Sequence, residues 1–309
     1  MVTPMKSTNW NRRTFMQATA ATLAATATGA PASELFIATN TYPWGTFFGR
    51  EKKNFPVHSD EMLAAIATSG IKGYEAAYNG PGEFDGLAER LAKHGLSARS
   101  MYVNSQLHDD QWEKSIASVL ALAEKGKQLG INIVVTNPSP LAWGGTAVKS
   151  DAQLETQAKA LDALGTALRA RGQTLAYHNH DAELRAGGRE FHHMLTATKP
   201  ENLHFCLDAH WVFRGCQDSQ VALFDAVAHY GSRIVELHVR QSTKGIWDEV
   251  FKPGDIDYPR LVRWLVENKL KPLVCLEQCV EGNSPNTLEG VPAHQQSLAY
   301  AREVFAPLA

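Results

Sequence analysis

The run TLAYHNHDAEL, residues 174–184, decides how the rest of the chain is read. Leu175, Ala176 and Tyr177 form an apolar segment that ends abruptly in His178-Asn179-His180-Asp181. A short apolar run closed by polar residues predicts a buried strand with functional groups at its C-terminal end. Alternate residues along a strand share a face, so His178 and His180 point one way and Asn179 the other. Two imidazoles on one face of a buried strand are costly unless something engages them. Three later runs repeat the form. Asp208 follows Phe205-Cys206-Leu207, His238 ends a run begun by Ile234-Val235, and Glu277 follows Leu273-Val274-Cys275-Leu276.

Outward from this stretch, strands are expected at 35–40, 72–76, 98–103, 131–136, 174–179, 204–207, 234–239 and 272–277. Helical patterns separate them. One starts at a Ser59 cap with Asp60 and Glu61 in its first turn, and others are expected to close at Gly95, Gly130, Gly172 and Gly231. Further helices are expected around 190–196, at 259–268 and at 293–305. Residues 42–56, rich in aromatics, read as a long loop. Strict alternation of strand and helix predicts a parallel sheet, and eight units predict a closed (β/α)8 TIM barrel in one domain, residues 33–309. A doubly wound open sheet competes, but no G-x-G-x-x-G follows the first strand and no phosphate loop is present. In a barrel, the C-terminal ends of strands five to eight converge. His178, Asp208, His238 and Glu277 then form a mixed nitrogen and oxygen set suited to one divalent Mn, Zn, Co or Fe ion rather than calcium.

Composition narrows the function. The chain has 309 residues with a formal charge of −2, so nothing in the charge argues for nucleic acid. After the N-terminus no apolar run is long enough to span a membrane. Residues 1–32 stand apart: Arg12-Arg13, Phe15, a weakly apolar Ala/Thr run and Ala30-Pro31-Ala32 read as a twin-arginine signal peptide. Its removal leaves 27 basic against 32 acidic residues. The expectation is a periplasmic or secreted protein, exported folded by the twin-arginine machinery. Cys206 and Cys275 fall inside strands, while Cys216 and Cys279 lie beyond strand ends and are open to pairing.

At YHNHD, LDAHW, ELHV, LEQ and Pro253-Gly254-Asp255-Ile256-Asp257 the chain resembles the xylose isomerase-like barrel superfamily. That group holds sugar-phosphate isomerase/epimerases, inosose dehydratases and isomerases, ketose 3-epimerases and endonuclease IV. The resemblance runs from Leu35 to the C-terminus. It implies one metal held at the ends of strands five to eight, typically by Glu, Asp, His and Glu. Asp208, His238 and Glu277 match in type, and His178 stands where many members have Glu. His180, facing the same way, is the fallback ligand. The resemblance implies an isomerase or epimerase acting on a small sugar, keto-sugar or polyol, through an enediolate formed by proton abstraction next to a metal-bound carbonyl. Glu277 is the expected base and His180 the second acid/base, on the strength of an ordinary imidazole pKa near 6.5. Glu75, His210, Arg240 and Trp211 are expected to meet substrate, and Trp44 and Trp143 are further candidates to stack on a sugar. His192 and His193 read as a solvated helix face.

Replacing one of the paired glutamates by an imidazole weakens a symmetric epimerase and leaves room for an isomerase, or for a lyase or dehydratase on a keto-sugar or keto-glycoside. Two other classes compete. A repair endonuclease would need a basic groove, and a non-catalytic periplasmic sugar-binding protein would have kept the barrel and lost the chemistry. The expected partners are a small-molecule sugar and the export machinery, with no nucleic acid and with homo-oligomerisation left open.

Overall fold

A computed structural model describes residues 35–309, so the twin-arginine segment lies outside the described residues. Eight strands close into an all-parallel barrel in sequence order. They are β1 (Ile37–Asn40), β2 (Gly73–Ala77), β3 (Ser100–Ser105), β4 (Ile133–Pro138), β5 (Thr174–His178), β6 (His204–Asp208), β7 (Ile234–Val239) and β8 (Leu273–Leu276). Helices cover the outside. Outward-facing residues such as Tyr177, Phe205 and Leu237 belong to one continuous apolar core between barrel and helices. A second, smaller cluster joins Val135, Ala176 and Cys206 with Val235. Among the described residues no helix is long and apolar enough to cross a membrane.

Two helices replace expected loops. Residues expected to form an aromatic loop instead fold as α1 (Thr41–Arg50). Asn40 caps it by accepting from the Tyr42 backbone N–H, and Trp44, Phe47 and Phe48 recur at helical spacing on its buried face. Trp44 stacks on His294 at 4.0 Å and donates its indole N–H to Thr39, so it is a packing residue. After β6 a short helix, α2 (Ala209–Gly215), starts directly from Asp208, whose Oδ1 accepts from Trp211 N at 2.9 Å. A hairpin at 242–247 follows β7. Asp255 holds it, accepting from Ser242 Oγ, Lys244 N and Gly245 N, while Asp257 caps the next helix. A Cβ on Gly254 would lie 2.3 Å from the Ser242 carbonyl oxygen, so only glycine allows this approach. The Pro253–Asp257 motif is therefore a structural clamp. All four cysteines are free thiols.

Candidate active site

Parallel pairing decides what meets what. Asp208 lies opposite His238 in the β6–β7 register, and Cys275 opposite His238 in β7–β8. The β6–β7 ladder shifts by one residue between Phe205 and Cys206, leaving Val235 as the extra residue on β7. That bulge brings His238 level with Asp208. At β5, Asn179 extends the sheet with its side chain: Nδ2 donates to the Asp208 carbonyl and Oδ1 accepts from the Asp208 N–H, both at 3.1 Å.

His178, Asp208, His238 and Glu277 present donor atoms that all lie within 4.8 Å of one another. His238 Nδ1 is 2.7 Å from Glu277 Oε2, and His178 Nε2 is 3.7 Å from Asp208 Oδ2 and 3.9 Å from Glu277 Oε2. All four residues are buried, yet both nitrogens of each histidine and Glu277 Oε2 make no hydrogen bond. Two imidazoles and two carboxylates crowded this closely suit a common cation, and an N2O2 set matches a borderline divalent metal. His180 lies beside this group, its ring 4.7 Å from that of His178.

Arg240 is fully buried against the same carboxylates, with Nη2 at 2.5 Å from Asp208 Oδ2 and 2.9 Å from Glu277 Oε2. Its guanidinium sits 5.0 Å from the ring centres of both Trp211 and Trp247. Burial would raise the Glu277 carboxyl, but Arg240 and then His238 outweigh it and hold the group well below the carboxylate range. Asp208 is likewise lowered against burial, by Arg240 and His178. Burial lowers His178. His238 goes the other way: burial would lower it, and Cys206, Glu75 and Glu277 raise it.

Three expected roles change. Glu75, expected to meet substrate, lies under His238 with Oε2 at 2.9 Å from Nε2 and no solvent exposure. Beside it sit Cys275, Glu236 and Ser100, a polar cluster inside the barrel that sequence reasoning missed. The even spacing of Glu236 and His238 on one strand was the available signal. His210, expected to face substrate, is buried against Trp247 and Phe213, away from the cavity. His180 lines the cavity, but burial and the neighbouring His178 push its pKa down to about 3. Its neutral form therefore predominates at neutral pH.

A cavity of about 890 Å³ opens above the ligands. Glu277, Arg240, His180, Trp211, Trp143 and Tyr102 contribute to its walls. His192 stays on the surface, its Nδ1 2.8 Å from the Tyr230 hydroxyl.

Residues 63–304 match a family model described as a xylose isomerase-like TIM barrel. Solved structures share the fold at low identity. A sugar phosphate isomerase/epimerase from Parabacteroides distasonis is 16% identical, with TM-score 0.68 over 88% of this chain and 97% of that one. An L-ribulose 3-epimerase is 16% identical, with TM-score 0.65 over 89% and 95%. A xylose isomerase-like TIM barrel protein from Mycobacterium smegmatis, in complex with magnesium, is 15% identical, with TM-score 0.70 over 89% and 98%. No curated protein sequence matches the chain.

Proposed function

The chain belongs to the xylose isomerase-like TIM barrel family, and on that premise we propose that it is a metal-dependent sugar isomerase/epimerase, moving a proton at the carbon beside a substrate carbonyl. The observation that carries this reading is the convergence of His178, Asp208, His238 and Glu277 in one cluster that meets a large cavity through Glu277. A divalent ion would be held by these four residues and would supply Lewis acidity. Glu277, held ionised, is the group to take the proton. Neutral His180 at the inner end of the cavity orients hydroxyl groups by hydrogen bonding. Arg240, buried against Asp208 and Glu277 at the inner end of the cavity, places a fixed positive charge beside the reacting groups.

Asp208 is not available as a second base. One of its oxygens caps α2 and the other binds Arg240. A single base returns the proton to the face it came from, which favours isomerisation over epimerisation. This reading also has the enzyme exported folded, on the strength of Arg12-Arg13 and the segment that follows.

Metal content after dialysis, followed by exchange of substrate protons in deuterated water, tests the proposal. One metal per chain, lost in His178→Ala, is expected, together with exchange on a keto-sugar that disappears in Glu277→Gln. Absence of metal after reconstitution, or exchange that survives Glu277→Gln, would refute it.

A further inference from the structure

The cavity is much larger than the reaction proposed for it requires. Its volume of about 890 Å³ is near the top of the roughly 300–1,000 Å³ range of pockets that enclose drug-sized ligands, and a single sugar ring is far smaller than those. Its two ends also differ in chemistry. The inner end carries Glu277, Arg240 and His180. The mouth carries Tyr42, Val57 and Trp143, which are 54%, 51% and 59% exposed. Leu141, 40% exposed, sits between the lining residues Pro140 and Ala142.

Single exposed apolar residues are ordinary, but their gathering on the rim of one cavity is a mark of a ligand-binding surface. These four come from two separate segments, Tyr42 and Val57 near α1 and the other two from the connection after β4. The rim is continuous with the reacting end, since the Trp143 ring packs edge-on against His180 at 5.3 Å.

The mouth is poorly suited to a phosphate. Of the arginines in the lining, Arg240 is engaged by Asp208 and Glu277, and Arg185 by the Gly145 carbonyl and Asp181. At the exposed rim Val57 offers hydroxyl groups nothing and Trp143 a single indole N–H, which suits a second sugar poorly. Aliphatic and aromatic walls together fit a flat, wholly apolar ring.

We propose that the mouth of the cavity is a subsite for an aromatic aglycone, so that the substrate is an aryl glycoside whose sugar ring itself carries the carbonyl, with that ring at the inner end beside Glu277 and the aromatic group between the Tyr42 and Trp143 sides. The inference rests on the reading of the inner end as a sugar site, but it concerns binding and is tested without turnover.

Calorimetric titration of the metal-reconstituted protein with phenyl glucoside, methyl glucoside and cellobiose is the experiment. Phenyl glucoside is expected to bind at least about tenfold more tightly than methyl glucoside. Trp143→Ala and Tyr42→Ala are each expected to remove most of that increment and to leave methyl glucoside binding unchanged. Both side chains are more than half exposed, so neither change threatens the fold. Equal binding of the phenyl and methyl compounds, tighter binding of cellobiose, an equal loss for all probes in Trp143→Ala, or no binding of any probe would each overturn the proposal. A phenyl increment in a protein that gives no proton exchange would leave the subsite standing and remove the chemistry. Exchange without the increment would do the reverse.

Discussion

Arg240 carries the charge balance of the site. One guanidinium, beside two indoles packed edge to face, meets two buried carboxylates. Breaking a buried ion pair by deleting one partner costs about 3–5 kcal/mol, because the remaining charge is left uncompensated. Arg240→Met should therefore lower the melting temperature of the metal-free protein markedly. A divalent ion at the same carboxylates would restore the balance, so added Mn²⁺ should raise the variant's melting temperature more than the wild type's. Equal shifts would show that the ion and the guanidinium do not share these oxygens. Glu75 acts one layer deeper. With Oε2 beside Nε2 of His238, it orients the ring so that Nδ1 faces Glu277. Carboxylates behind metal-ligating histidines commonly contribute about 10–100-fold in metal affinity. Glu75→Gln should weaken Mn²⁺ binding by that order in a competition titration while preserving the circular dichroism of the fold.

Among the elements, the end of β5 is the one most dependent on a single side chain. Asn179 replaces the strand pairing that Asp208 would otherwise lack, donating to its carbonyl and accepting from its N–H. Truncation leaves both backbone groups buried and unpaired, at about 1–3 kcal/mol each. Asn179→Ala should lower the unfolding free energy measured in urea by about 2–6 kcal/mol in all, and should also weaken metal retention, because Asp208 loses its anchor. A variant with normal stability would mean that water or a shifted strand takes over these bonds. The helices show where sequence periodicity was overlooked. The aromatics of 42–56 gave an impression of a loop, but Trp44, Phe47 and Phe48 are spaced as a helical face behind a capping Asn40. At Asp208 one carboxylate serves both as a candidate metal ligand and as the N-cap of the short helix after β6, and the sequence displays only the first role.

Across the whole molecule, buried titratable groups set the response to pH. His180 and His210 are pushed down to about 3 and His294 to about 4, in each case chiefly by burial. The unfolded chain takes up protons on these histidines below about 6.5 that the folded chain refuses, so stability falls as pH falls through that window, by up to about 1.4 kcal/mol per pH unit for each. Burial and like charge work oppositely on Glu183 and Glu236, raised to about 7 and about 8. Folded, these carboxyls keep protons that the unfolded chain releases above about 4.3, so their contribution is lost as pH rises toward 8. In the presence of chelator, the melting temperature should peak near about pH 5–6 and decline on both sides. Glu236→Gln should flatten the alkaline limb. An unaltered limb would place the cause elsewhere.

The eight-strand alternation was readable from the chain because each strand is an apolar run bounded by polar turns, and the barrel was readable because parallel strands need intervening helices. The four converging residues were readable for the same reason: each terminates such a run, and strand ends in this architecture share one face. The one-residue bulge that levels His238 with Asp208 was not readable, since register depends on pairing between strands far apart in sequence. Nor was the fate of Glu75 and His210, or the pKa of His180. A residue type and its spacing specify which atoms can reach a site, whereas burial and the charges packed around them, which decide how those atoms behave, arise only when distant segments close on one another.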